Sequence, residues 1–412
     1  MVQTADSQDA GRSPYLDLVA ATDPAPLLHR LRAEDPVHFV APLGFWFVTR
    51  HDDVKRLFND PENCTQSRRD WEHYRPAPEG TLLYWLERES LLTQSPESHA
   101  RFRRLFNRAL TPRAVRRMDA QIREVVERFA APLRARRGQI VDLMGDFTDP
   151  IPNAVISRIV GVSPGADEVR FRELAQQLIR GFFPLAPPEA VAASEAALQE
   201  MAPWLRRMVA ERRGSLHEDL ISDLIRTQES DHPLRDDDIV MLVAVLIGAG
   251  SETTNLGGLV VIQTLLAYPD VMQRLRDDRS LVRKATDELM RFAFGGPAGM
   301  QRFAVRDFEL RGKTIRKGQM LMLGLGGANR DPAVFADPDV IDLDRDNREA
   351  LFFGSGPHYC LGANLARQEI GCMIDAALDI VPAGSRARLD LQQFRPMGIF
   401  RRPVNLPVEI AG

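Results

Sequence analysis

The chain is poor in several things, and each shortage excludes a class of protein. Its 412 residues include only three cysteines, Cys64, Cys360 and Cys372, and no two of them form a CxxC pair. That rules out a disulfide framework, a four-cysteine zinc site and an ordinary iron–sulfur cluster. Lysine is almost missing: Lys55, Lys284, Lys313 and Lys317 are the only ones among 53 basic residues. This bias towards arginine reads as a GC-rich bacterial genome, not as a functional signal. Neither sign of charge dominates. A formal net charge of −4 argues against a general nucleic-acid binder. Long hydrophobic runs are absent too. The longest, Ile239 to Ala249, is too short to span a bilayer and meets Gly250, Ser251 and Glu252 at once. Residues 1–24 carry Asp6, Asp9, Asp17 and Asp23 and no basic stretch followed by an apolar one. No signal peptide or anchor is expected, and the localisation expected is cytoplasmic. There is no internal repeat and no dinucleotide fingerprint behind a strand.

What is present is a globular composition, 44% apolar and 27% charged. A chain of this length buries a sufficient core without metal or disulfide staples. Residues 36–49 read as a hairpin around Pro42-Leu43-Gly44, and 51–58 as a helix. Residues 66–95 read as irregular. From about 99 to 230 the pattern is helical, broken at Pro112, at Pro150 and Pro152, at Pro164, and between Pro184 and Pro188. Three acids, Asp236 to Asp238, open a long apolar helix expected over about 237–267. Further helices are expected at about 279–292 and 361–380, with short strands at 302–325 and near the C-terminus. The class is mainly α with a smaller β part.

The sharpest local feature is Phe353-Gly354-Ser355-Gly356-Pro357-His358-Tyr359-Cys360-Leu361-Gly362. One cysteine sits in a glycine-rich loop with a helix starting directly after it. A helix N-terminus favours negative charge and lowers a thiol pKa. The glycines let backbone approach a flat partner, and Phe353 is placed to shield one face of it. This is the arrangement needed to hold a thiolate as the axial ligand of haem iron. A second feature is Ala249-Gly250-Ser251-Glu252-Thr253-Thr254, which inserts poor helix formers and a carboxylate into an apolar helix. Such a break of local rules marks a candidate site. Gly248, Ala249 and Gly250 open space there. Glu252 supplies a proton donor and Thr253 a hydroxyl that orders water, while Thr254 reads as packing.

The ten residues from Phe353 to Gly362 match every fixed position of the haem-binding signature Phe-Gly-x-Gly-x-His-x-Cys-x-Gly. The chain therefore resembles the cytochrome P-450 superfamily, in its bacterial, soluble, partner-dependent form. Further motifs match in the family's order along nearly the whole chain. The resemblance implies one P-450 domain over 1–412. Its β-rich portion would fall at about 36–50 and 302–325 plus the C-terminal strands, and its helical portion at about 99–292 and 361–380. The cofactor implied is haem b, held between the long central helix and the Cys-loop helix, with Cys360 as metal ligand. The resemblance makes Glu252 and Thr253 the oxygen-activation pair. It places His99, Arg103, Arg302 and His358 on the haem propionates, and Phe353, Gly362 and Ala249 against the ring. Glu288 and Arg291, with Arg345, resemble the family's structural Glu-x-x-Arg set and are excluded from catalysis.

By position, an apolar substrate pocket is expected from Tyr84, Trp85, Phe182, Phe183, Val245, Gly248, Pro297, Ala298 and Ile399. The expected activity is insertion of one oxygen atom of O2 into a hydrophobic small molecule, by C–H hydroxylation or epoxidation. A terpenoid, steroid, fatty acid or polyketide is the class of substrate favoured. Seven arginines (101, 103, 104, 108, 113, 116 and 117) and no acids lie between Glu97 and Asp119. The chain ends about fifty residues after Cys360, which leaves no room for a flavin or iron–sulfur domain. An acidic ferredoxin or flavodoxin, with its NAD(P)H reductase, is the expected electron donor. Two alternatives stand beside this reading. One is a peroxide-using enzyme of the same fold, disfavoured by the intact Glu252–Thr253 pair. The other is a non-catalytic haem sensor.

Overall fold

The computed structural model describes residues 13–89, 99–100, 103–104, 106, 110–163, 165–181, 186–226, 234–294, 296–297, 299–397 and 400–412. Phe182, Phe183, Ala298 and Ile399 of the expected pocket lie outside the described residues, as do Arg101 and Arg108. The chain divides into two compact units, each assembled from separate stretches of sequence.

The first unit takes residues 1–74, 290–359 and 399–401. Its centre is a five-stranded sheet in the order Val37–Val40, Phe45–Val48, Met320–Gly324, Gly299–Ala304, Cys64–Thr65. The first two strands form the expected hairpin, with Val37 opposite Val48 and Val40 opposite Phe45. Phe45–Val48 then pairs in parallel with Met320–Gly324, a partner that no local pattern announces. The period of two along a strand sorts side chains onto two cores. Met320 and Met322 pack with Tyr15, Phe45, Phe47 and Phe303 on one face. Leu321 and Leu323 pack with Val48, Val54 and Leu57 on the other. Gly299 must lack a side chain, because a Cβ there would strike the Leu323 carbonyl oxygen across the ladder. The helix His51–Phe58 falls where expected, with Asp52 and Asp53 in its first turn.

Between Asn329 and Gly356 no helix or strand is assigned, yet the stretch is tied down by side chains. Arg291 is fully buried and donates to the carbonyls of Asn329 at 2.9 Å, Pro338 at 2.8 Å and Val340 at 3.2 Å. Arg345 donates to the carbonyls of Ala336 at 2.6 Å, Asp337 at 3.2 Å and Val340 at 3.3 Å. The Asn329 side chain accepts the Leu351 amide at 2.6 Å. Arg291 thus satisfies loop carbonyls that would otherwise be buried without donors, while Arg345 ties down carbonyls at the surface.

The second unit takes residues 75–289, 360–398 and 402–412. It is organised around a 32-residue central helix, Asp236–Ala267. The Asp238 carboxylate accepts the Arg235 amide at 2.9 Å, so the run of acids does cap the helix start. Helices Pro150–Val160, Ala166–Arg180, Pro188–Gly214 and Ala363–Ile380 all pack on it. Contact on so many sides explains why its apolar residues are not confined to one stripe. Among the described residues it is the one helix long and apolar enough to cross a membrane, and 67% of its apolar window is buried inside the fold. Prolines read as breaks are helix starts: Pro112, Pro150 and Pro188 each occupy the first turn, where the missing N–H costs nothing.

One expectation fails in this unit. The stretch 66–95 is not wholly irregular, since Leu82–Glu89 is a helix. Its cap is supplied from afar. The Glu195 carboxylate, on helix Pro188–Gly214, accepts the amides of Leu82 at 3.1 Å and Leu83 at 2.7 Å. A tertiary cap of this kind is invisible to local pattern. The class, mainly α with a smaller β part, is as expected.

Candidate functional site

Between Asp238 and Leu259 the central helix is mostly buried, but Ala249 and Thr253 are exposed and Val245, Gly250, Glu252 and Leu256 are half-exposed. Residues four apart share a helix face, so Val245, Ala249 and Thr253 define one open stripe. A Cβ added at Gly250 would meet no atom within 4 Å. Gly248, expected beside this stripe, is buried, and so is Thr254, which packs as the sequence suggests. The helix runs through the motif unbroken. The hydroxyls of Ser251 and Thr253 donate back to the carbonyls of Ile247 at 2.8 Å and Ala249 at 2.7 Å. This back-bonding satisfies both hydroxyls within the helix itself.

Glu252 is not the isolated carboxylate that the sequence suggests. Arg402, on the strand Phe400–Pro403, reaches its Oε1 with Nη1 at 2.6 Å. The two side chains are 7% and 16% exposed, so the pair is largely out of water. Sequence reading missed Arg402 because it belongs to no motif and lies far along the chain.

Cys360 stands just ahead of the helix Ala363–Ile380, which packs on the central helix within the same unit. Burial raises its thiol pKa above the ordinary value. The Gly362 amide and the charges of Arg103 and Arg367 pull it back only in part. This corrects the expectation of a thiol lowered by the helix end: desolvation wins. A Cβ added at Gly362 would also meet open space. In the same unit His99 is buried, and burial followed by the charge of Arg103 lowers its pKa. Tyr84 and Trp85 are half-buried on the helix Leu82–Glu89, which packs against the central helix.

Arg302 belongs to the first unit. It lies over the Phe58 ring at 4.8 Å and donates from Nη1 to the Gln301 carbonyl at 2.8 Å. Its Nη2 is buried with no partner, and burial brings the guanidinium down to about 10. A buried cation left short of an acceptor is costly unless an anion completes it. Phe353 packs edge-on against Phe352 and Tyr359, with centroids 4.9 and 6.3 Å away. Gly354 and Gly356 hold φ of +73° and +72°, the left-handed region that favours glycine. His358 is half-buried, and Pro297 accepts the Tyr15 hydroxyl at its carbonyl at 3.3 Å. Among the described residues there is no group of three or more His, Cys, Asp or Glu able to hold a metal. A metal bound by Cys360 alone needs a cofactor that brings the other ligands. Within the second unit, the open stripe and the bare Gly250 and Gly362 fit a flat ring such as haem; within the first, the orphaned Arg302 nitrogen calls for an anion.

Comparison with known proteins points the same way. The family model described as Cytochrome P450 matches residues 38–379. Nocardicin C N-oxygenase of Nocardia uniformis subsp. tsuyamanensis is 34% identical over 407 residues, covering 97% of this chain and 98% of that protein. Epothilone C/D epoxidase of Sorangium cellulosum is 33% identical over 358 residues, covering 85% and 84%. The solved structure of epothilone B-bound cytochrome P450epoK superposes with a TM-score of 0.84 at 29% identity, covering 97% and 98% of the two chains. On a match this long and this complete, the chain belongs to the cytochrome P450 family: it binds haem through a cysteine thiolate and is a monooxygenase of the kind served by redox partners.

Proposed function

We propose that this chain oxygenates a hydrophobic small molecule, by hydroxylation or epoxidation, at a haem ligated by Cys360. The observation that carries this is the open stripe Val245–Ala249–Thr253 on a helix mostly buried between Asp238 and Leu259, in the unit that also holds Cys360. The relatives named as an epoxidase and an N-oxygenase support the reaction class. A terpenoid, steroid, fatty acid or polyketide fits the apolar residues at the pocket positions. Tyr84, Trp85, Val245, Gly248 and Pro297 are the described members of that set, Gly248 being buried.

The haem, when bound, supplies the one-electron and O2 chemistry. The chain's own residues position and protonate. His99, Arg103, Arg302 and His358 neutralise the propionates, and the orphaned Arg302 Nη2 supports that role. Phe353, Gly362 and Ala249 leave room for the ring and cover it. Thr253 keeps its hydroxyl hydrogen on the Ala249 carbonyl, so its oxygen lone pairs accept a hydrogen bond from water on the open side. Glu252 has Oε1 on Arg402, which leaves Oε2 to exchange a proton with that water. General acid–base groups of this sort contribute about 10²–10⁴-fold. The two units act as one domain in this reading, and the protein is cytoplasmic.

Electrons come from a ferredoxin or flavodoxin. Arg104, Arg113, Arg116 and Arg117 are exposed, which supports an arginine-rich docking face for an acidic partner.

The test is the carbon monoxide difference spectrum of the dithionite-reduced protein, beside Cys360→Ser. A strongly red-shifted Soret band in the wild type that is lost in C360S is the expected result. A band at the position of histidine-ligated haem, or an unchanged spectrum in C360S, would overturn the assignment.

A further inference from the structure

The helix Leu82–Glu89 carries Tyr84 and Trp85, and it packs on both the central helix and the helix Pro188–Gly214. Those two helices also pack on each other, so the three meet within one unit. A helix of 8 residues does not hold itself together in water. Its start is held by two side chains. Thr81 Oγ1 accepts the Tyr84 amide at 3.1 Å, and the Thr81 carbonyl accepts the Trp85 amide at 3.2 Å. The first two amides, of Leu82 and Leu83, each take one oxygen of the Glu195 carboxylate, at 3.1 and 2.7 Å. Leu83 is buried, and a buried amide stripped of its acceptor is costly.

The aim of Glu195 is itself fixed. Gln199 Nε2 donates to its Oε1 at 3.0 Å. Its neighbour Ser194 is fully buried against the end of helix Ala166–Arg180. There the Ser194 hydroxyl accepts the Gly181 amide at 2.8 Å and donates to the carbonyls of Gln177 and Leu178, each 2.9 Å away. Two adjacent residues thus tie helix Pro188–Gly214 to one helix and cap another.

We propose that Glu195 is a specificity-determining residue. By capping the helix Leu82–Glu89 it decides how large a ligand reaches the open stripe Val245–Ala249–Thr253. This inference rests on the haem-thiolate reading and adds to it a positioning residue that acts through Tyr84 and Trp85. With the cap in place, those two side chains stay on a formed helix. Without it the first turn frays, and ligands too bulky for the formed site enter.

The experiment is stopped-flow binding of imidazole and of clotrimazole to the ferric, haem-loaded protein, read as the red shift of the Soret band. Both place a nitrogen on the iron and they differ in bulk. Glu195→Ala removes both acceptor oxygens, and Glu195→Gln keeps one. In E195A the clotrimazole on-rate should rise about ten-fold, the step that about 1.4 kcal/mol produces, while that of imidazole changes by less than about two-fold. E195Q should fall between E195A and the wild type, and it carries the comparison should E195A not hold haem. Amide hydrogen exchange at Leu82 and Leu83 should quicken in the same order. Unchanged clotrimazole on-rates, imidazole accelerated as much as clotrimazole, or unchanged exchange at both amides would overturn the inference. The carbon monoxide spectrum of each sample separates the two levels. A thiolate-type band with unchanged azole rates sinks this inference alone, whereas a wild type without that band sinks the haem-thiolate assignment beneath it.

Discussion

Replacing Arg402 with methionine removes one half of the pair that holds Glu252 and keeps most of the packing of the long side chain. The charges are 2.6 Å apart and the side chains are 7% and 16% exposed. Two unit charges at about 4 Å attract by about 4 kcal/mol at an effective dielectric of about 20, before desolvation is counted. Stripping one partner from a buried pair costs about 3–5 kcal/mol, mostly because the other charge is stranded. Glu252 keeps some contact with water, so R402M should lose about 2–4 kcal/mol. Glu252→Gln in the same background removes the stranded charge, and the double variant should recover about 1–2 kcal/mol of that loss. Urea unfolding of the haem-loaded protein, followed by far-ultraviolet circular dichroism at neutral pH, reads these differences as shifts in midpoint at constant slope. Raising salt from 0.05 to 0.5 M should leave the gap nearly unchanged, because a pair screened by protein feels the ion atmosphere weakly. An R402M variant within about 0.5 kcal/mol of wild type would refute the reasoning. So would a double variant that loses the sum of both singles.

Gly299→Ala forces a methyl group into the Leu323 carbonyl oxygen between two paired strands and should cost about 1–3 kcal/mol in the same urea assay. A neutral substitution there would mean that the ladder yields more easily than its geometry indicates. Burial pushes the thiols of Cys64 and Cys372 up to about 12 and about 11, so iodoacetamide at pH 8 should leave both unlabelled in native protein and label both in urea. Rapid native labelling of Cys64, read by mass spectrometry, would contradict this. His99 is held below the usual histidine range by burial and then by Arg103, so the unfolded chain takes up a proton that the folded, haem-free chain resists. Stability from this group is full above the unfolded value of about 6.5 and is lost as pH falls through it. Haem-free wild type should therefore lose stability faster between pH 7 and pH 5 than His99→Gln. Equal slopes would exclude His99 as the source.

The sequence made some elements legible and hid others for physical reasons. The hairpin 37–48, the helix His51–Phe58 and the acid-capped central helix follow from periodicity, turn residues and charge within a dozen positions of one another. Prolines were ambiguous, since a proline that ends one helix also suits the first turn of the next. Pro132 and Pro203 even sit inside helices, where packing overrides their cost. The Cys360 loop was visible because its chemistry and its backbone needs fall in one short segment. Arg402 was not, because a counter-charge is chosen by proximity in space and any basic residue along the chain can supply it. The same holds for Glu195, which decides the helix Leu82–Glu89 from more than a hundred residues away. Desolvation of Cys360 was hidden too, since burial is a property of the fold and not of the loop.

The carbonyl cage of Arg291 and Arg345 has a consequence for how this chain tolerates change in length. Stretches without helix or strand are ordinarily where insertions and cleavage are accepted most readily. Residues 330–355 have that outward look, but the carbonyls of Asn329, Ala336, Asp337, Pro338 and Val340 are each claimed by a planar guanidinium whose nitrogens have fixed spacing. One added residue between Asn329 and Val340 would carry those oxygens out of reach together. Spacing here is as strict as register in a central strand, and a tag or protease site placed in this segment should be tolerated no better than one placed within the sheet.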